Sequence, residues 1–179
     1  MEPRTVSIPE NVRITLRSGK AVSVTGPLGT IENDFSHARD ISLQVEGNVL
    51  KVQHEGQERR RKVALAGTIA AHVQNMITGV TEGFTYKMKI VYAHFPMSVK
   101  VQKDTVLIEN FGGERRPRFA KILDDVKVSV EQDDVVVKGT DIRAVGQTVA
   151  NIQEATNVKS KDPRIFLDGI FLYSKTEGM

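Results

Sequence analysis

The residue types that most often carry covalent chemistry are few here, and their spacing is wrong for it. The four histidines, His37, His54, His72 and His94, show no metal-ligand spacing such as HExxH. No serine stands in a GxSxG context, and there is no cysteine to act as nucleophile, thiolate ligand or disulfide partner. Asp124-Asp125 and Asp133-Asp134 are adjacent pairs whose side chains diverge, unlike an acid and a base held across a cleft. Gly26-Pro27-Leu28-Gly29 lacks the Gly-Lys-Ser/Thr ending of a phosphate loop and precedes no helix, so it reads as a turn. The expectation is a protein without a catalytic centre, a metal or a cofactor.

The chemistry that remains is electrostatic. The chain holds 25 Lys and Arg against 22 Asp and Glu, a formal charge of +3, and its pI is near 9.2. That balance permits nucleic-acid binding without requiring it, so placement decides. Arg59-Arg60-Arg61-Lys62 leads into a helical stretch; taken alone it reads as a solvated face. Arg115, Arg116 and Arg118 surround Pro117, with Lys121 just beyond. Lys159, Lys161 and Arg164 follow the second helical stretch, and Lys175 closes the same extension. These eight residues of the later half, set in segments near Gly or Pro, are the candidate phosphate contacts.

Two copies of one element pattern position them. Thr140–Gln153 repeats Lys62–Gln74: Ile142, Val145, Gly146, Val149, Ala150, Ile152 and Gln153 match Val63, Ala66, Gly67, Ala70, Ala71, Val73 and Gln74. Apolar residues at helical spacing make one buried stripe in each copy. A glycine at the same point of both stripes predicts close approach of helix and sheet, because glycine inside a helix costs about 1 kcal/mol relative to alanine. The flanks agree. Val22, Val24, Gly29 and Phe35 match Val106, Ile108, Gly113 and Phe119, while Ile41, Leu43 and Val45 match Val126, Val128 and Val130. Each half therefore reads as strands, turns and one late helix, a domain-sized duplication. The expected architecture is α+β: two tandem domains, 1–82 and 83–179, each of antiparallel β-sheet layers packed around a single α-helix. The first helix should stop near Gly79, and Phe84, Tyr86, Met88, Ile90 and Tyr92 should share one strand face opposite Lys87 and Lys89. Beyond Asn157 the chain leaves the repeat, and apolar residues such as Phe166 and Ile170 should anchor an extension whose basic residues stay free.

Composition fits two small aliphatic cores, with 40% hydrophobic and only 6% aromatic residues. No apolar run approaches the roughly 20 residues that cross a bilayer. The N-terminal stretch lacks the apolar core of a signal peptide, so a soluble intracellular protein is expected.

Three stretches carry a family resemblance: Tyr86–Met97 (YKMKIVYAHFPM), Asn110–Glu114 (NFGGE) and Val158–Lys175 (VKSKDPRIFLDGIFLYSK). Together with the duplication, the chain resembles the sixth protein of the large ribosomal subunit in its archaeal and eukaryotic form. The Arg-x-Phe-x-Asp-Gly pattern at Arg164, Phe166, Asp168 and Gly169 is the most specific part; Pro163 departs from the aliphatic residue expected there and should stiffen the basic stretch. The resemblance implies a structural, cytoplasmic constituent of the large subunit that supports translation. It implies binding to large-subunit rRNA, mainly through the second domain, near the sarcin–ricin loop and stalk base. It also implies neighbouring ribosomal proteins and nearby translation factors as partners, with no membrane and no DNA. A free-standing RNA-acting enzyme or a protein-interaction adaptor on the same duplicated fold is the competing reading. An enzyme would show convergent titratable groups, an adaptor a large exposed apolar patch.

Overall fold

The computed structural model describes residues 4–17, 20–54, 56, 59–93, 95–123, 125–159, 161–162 and 164–179. The turn expected at Ser18-Gly19, and also His94, Asp124 and Pro163, lie outside the described residues. The chain forms two units, Met1–Glu82 and Gly83–Met179.

Unit 1 runs β1 (Arg4–Ser7), β2 (Arg13–Arg17), β3 (Ala21–Gly26), β4 (Gly29–Asp34), β5 (Ile41–Glu46), β6 (Val49–His54) and α1 (Arg60–Thr81). Its sheets are β1-β6-β5 and β2-β3-β4, antiparallel throughout. Unit 2 repeats the sequence of elements as β7 (Phe84–Val91), β8 (Ser98–Gln102), β9 (Thr105–Glu109), β10 (Arg118–Lys121), β11 (Lys127–Glu131), β12 (Asp134–Gly139) and α2 (Ile142–Ala155). It then adds β13 (Gly169–Glu177). Its sheets are β8-β9-β10 and β11-β12-β7-β13. Strand for strand the orders match, so the duplication is one of topology. The fold is α+β with a duplicated domain.

Each core lies between the helix and the two sheets. In unit 1, Ile69, Val73, Met76, Ile77 and Val80 of α1 meet Val22, Val24, Ile41, Leu50 and Val52 from the strands. In unit 2, Val145, Val149 and Ile152 meet Met88, Val106, Ile108, Val135, Val137 and Ile170. Strand alternation supplies these faces: Phe84, Tyr86, Met88 and Ile90 are buried while Lys87 and Lys89 between them are exposed. Tyr92 lies past the strand and is exposed, so it does not continue that face.

Several expectations need correction. Gly67 and Gly146 do not mark close packing: a Cβ built on either meets nothing within 4 Å, because both sit at the flank of the buried stripe. The glycines that do allow close approach of helix and sheet lie in strands. A Cβ on Gly26 would come within 2.6 Å of Val80 Cγ2, and one on Gly139 within 2.7 Å of Val145 Cγ2. Helix α1 runs through Gly79, which is buried, and stops before Gly83, whose φ of +78° breaks it. Phe35 is in the core but its sequence match Phe119 is exposed, since Ala120 takes the inward position on β10. Finally, α1 with its 22 residues is long and apolar enough, by length and composition, to cross a bilayer, contrary to the reading that no stretch was. Its apolar stripe is packed into the core of unit 1.

Candidate nucleic-acid interface

The extension after α2 is pinned by the helix end itself. Thr156, 3% exposed, donates from Oγ1 towards the Ile152 and Gln153 carbonyls at the helix end. The same oxygen accepts the Ile170 N–H at 3.1 Å. Ile170 is fully buried, and Asp168, 5% exposed, accepts the Ala93 N–H just past β7. From there β13 pairs antiparallel with β7, Gly169 opposite Val91 and Glu177 opposite Phe84, with a bulge between Leu172 and Ser174. The apolar half of the extension is therefore a sheet strand, more than an anchor.

The basic loop before β10 is built on left-handed backbone. Asn110, Gly112 and Gly113 have φ of 58°, 57° and 80°, which explains two consecutive glycines and an asparagine in NFGGE. The Asn110 side-chain amide donates to the Pro96 carbonyl at 2.9 Å. After this short turn of 3-10 helix (Phe111–Gly113) the chain passes Glu114, Arg115 and Arg116 before re-entering the sheet at Arg118.

Arg118 fastens loop and extension together. Its guanidinium donates to both Glu114 carboxylate oxygens at 2.9 and 2.6 Å, a bidentate pair. Nη1 donates to the Ala155 and Asn157 carbonyls at 2.9 and 3.0 Å, capping the C-terminus of α2, where cations are favoured by the helix dipole. The same group lies 4.2 Å from the centroid of the buried Phe111 ring. The Arg118 hydrogen bonds, with the positive charge of Lys161 nearby, hold the Glu114 carboxyl below its ordinary value of 4.5. Arg118 is therefore a strut, and no sequence signal marked it as one: Glu114 to Arg118 is loop leading into strand, where the helical i,i+4 rule does not apply.

The other candidate residues are placed as follows. Arg118, Lys159 and Lys161 line one small cleft with Phe111, Glu114, Phe166 and Asp168. Lys161 Nζ is 4.4 Å from the Phe166 ring centroid. Arg115, Arg116 and Lys159 are exposed, and no ion pair joins them to a carboxylate among the described residues. Lys121 is exposed at the end of β10, its carbonyl accepting the Asn151 side-chain amide at 2.9 Å. Arg164 is exposed but grips Asp162 through Nε and Nη2 at 3.1 and 3.0 Å, and its guanidinium lowers the Asp162 carboxyl. Lys175 is not brought to this cluster. It pairs in register with Tyr86, near the opposite end of β7 from Val91, and its Nζ is 5.4 Å from the Tyr86 ring centroid. The extension's basic residues are thus only partly free. Among the described residues no group of three or more His, Asp and Glu gathers as a metal site.

Comparison with known proteins bears on the duplicated fold as a whole. The family model described as ribosomal protein L6 matches residues 8–83 and 95–169, one segment in each unit. A large ribosomal subunit protein uL6 of Staphylothermus marinus is 51% identical over 171 residues, covering 94% of this chain and 91% of that protein. The uL6 protein of Ignicoccus hospitalis is 48% identical over 179 residues, covering 95% and 92%. That of Methanobrevibacter smithii is 48% identical over 170 residues, covering 95% and 94%. With both halves matched by one family model and near-complete overlap with these relatives, the chain belongs to the ribosomal protein L6 family.

Proposed function

We propose that this chain is a structural, non-catalytic constituent of the cytoplasmic large ribosomal subunit, and that unit 2 holds it there by binding large-subunit rRNA. The observation that carries the reading is the clamped loop. Arg118 fixes the path of the chain on either side of Arg115 and Arg116, and the same strut holds the start of the Lys159–Lys161 segment at the helix end. Cationic heads held in place lose little conformational freedom on meeting a phosphate backbone. Arg115, Arg116, Lys121, Lys159 and Lys161 make the phosphate contacts; Arg164 shares its charge with Asp162, and Lys175 sits apart on β13. Arg118 positions them. Phosphate contacts of this kind fix register and orientation on folded RNA without reading sequence. The site is in the factor-binding region, by the sarcin–ricin loop and the stalk base, beside neighbouring ribosomal proteins and within reach of translation factors.

The test is a salt titration of the full chain on a large-subunit rRNA fragment, with Arg115→Gln, Arg116→Gln and Lys159→Gln combined as the variant. Three lost phosphate contacts lower the salt slope by about 2–3, at ~0.7–0.9 per contact. An unchanged slope removes the loop from the interface. Crosslinking in purified large subunits tests the location: products confined to RNA far from the sarcin–ricin loop would displace it.

A further inference from the structure

Unit 2 turns a second basic surface to solvent, on the face of sheet β11-β12-β7-β13 that points away from α2. Pairing register defines that face. Lys127 lies opposite Lys138, and Lys138 opposite Thr85; Val136 lies opposite Lys87. Lys87 and Lys127 are exposed and Lys138 half-exposed, while Val136 in their midst is buried, as expected where lysine stems lie along a sheet. The remaining lysine of the face, Lys89, is held by Asp134 at 3.2 Å. Among the described residues, no carboxylate pairs with Lys87, Lys127 or Lys138.

The duplicated domain serves as an internal control. The same register in unit 1 sets Ser42 opposite Gln53 and Lys51 opposite Thr5. Counting each hairpin from its turn, Ser42, Gln53 and Thr5 occupy the places of Lys127, Lys138 and Lys87. The cation on that unit 1 face, Lys51, is neutralised by Glu46 at 2.5 Å. The fold therefore forms without these three lysines. Two of them directly opposite each other repel and work against the sheet. An arrangement that the fold does not need and that opposes stability is explained when a polyanion meets it. Tyr173, exposed on the adjoining strand β13 with its hydroxyl 3.2 Å from the Asp134 carboxylate that holds Lys89, offers a ring face of the kind that stacks on bases, which an acidic peptide would not use.

We infer that Lys87, Lys127 and Lys138 form a second phosphate-contact surface, so that unit 2 is held between two RNA segments, one at the loop and helix end and one on the opposite sheet face. This rests on the rRNA-binding reading above, and the variants separate the two. The full chain is compared as wild type, as the sheet variant Lys87→Gln, Lys127→Gln, Lys138→Gln, and as the loop variant defined above. Binding to large-subunit rRNA is read as a salt slope and as a hydroxyl-radical footprint. The sheet variant should keep or raise the thermal midpoint, lower the slope by about 2–3, and lose a protected segment that the loop variant retains. A sheet variant with wild-type slope and footprint, beside a weakened loop variant, overturns this inference and leaves the rRNA reading standing. Absence of wild-type binding, or a loop variant and a sheet variant both indistinguishable from wild type, overturns both. Adding Thr5→Lys, Ser42→Lys and Gln53→Lys to the sheet variant restores net charge on the wrong unit. Recovery of the lost footprint by that protein would mean that total charge, not this face, does the binding.

Discussion

Replacing Gly146 with alanine should stabilise unit 2, although the sequence pattern argues the reverse. Glycine in a helix interior is about 0.5–1 kcal/mol less favourable than alanine, because its unfolded chain has more freedom to lose. A close sheet contact would reverse that gain, but a Cβ at Gly146 meets nothing within 4 Å. The net effect is therefore the propensity term alone, and for a domain of this size it raises the midpoint by about 2–8 °C. Gly139→Ala is the matched opposite. Its Cβ would fall 2.7 Å from Cγ2 of Val145, a fully buried, β-branched helix residue with little rotamer freedom. Overpacking of this kind destabilises by about 1–3 kcal/mol. Calorimetry and urea unfolding of the full chain would read both, with Gly67→Ala as the equivalent change in unit 1. A Gly146→Ala protein as destabilised as Gly139→Ala would refute the geometry and restore the close-packing reading.

Arg118→Ala should destabilise unit 2 by about 1–3 kcal/mol, since charge-assisted hydrogen bonds and a helix cap go together; hydrogen exchange should rise in the 110–118 loop before it rises in the cores. The Glu114 carboxyl titrates below its ordinary value, so the stability it lends is complete above pH 4.5 and lost as pH falls through the lowered value. Acid unfolding of wild type and Glu114→Gln should therefore converge at low pH, and a constant gap across the range would contradict the clamp. Thr156→Val leaves the buried Ile170 N–H without its acceptor and should cost about 1–3 kcal/mol. Thr156→Ser, which keeps the oxygen, should recover most of that in the same unfolding assay.

What could be read from residue order was whatever repeats or alternates locally. The helix stripes at Val63–Gln74 and Ile142–Gln153, the Phe84–Ile90 alternation and the duplication all belong to that class. Short strands escaped: β1 and β10 have four residues each, and β4 has one buried residue, so none shows enough period to stand out. Arg118 was found as a basic residue but not as a strut, because its acceptors at Ala155 and Asn157 come from another element. Gly67 and Gly146 misled because a repeated glycine was given a packing cause, when direction around the helix decides what a Cβ would touch. Lys87 showed its outward direction from alternation alone. That Lys127 and Lys138 face each other beside it depends on strand register, which no single stretch encodes.

The strand β13 also sets a clock on how unit 2 is made. Thr85 on β7 hydrogen-bonds the Gly178 carbonyl, 93 residues further along. At translation rates of about 5–20 residues per second, β7 waits roughly 5–20 s for the strand that covers its edge. Until then that edge offers unpaired backbone groups to any passing strand. In unit 1 the corresponding edge, on β1, gains no fourth strand among the described residues, so it stays open after α1 is complete at Thr81. The two copies of one fold thus differ in how long that edge stays open: until β13 arrives in unit 2, and throughout in unit 1.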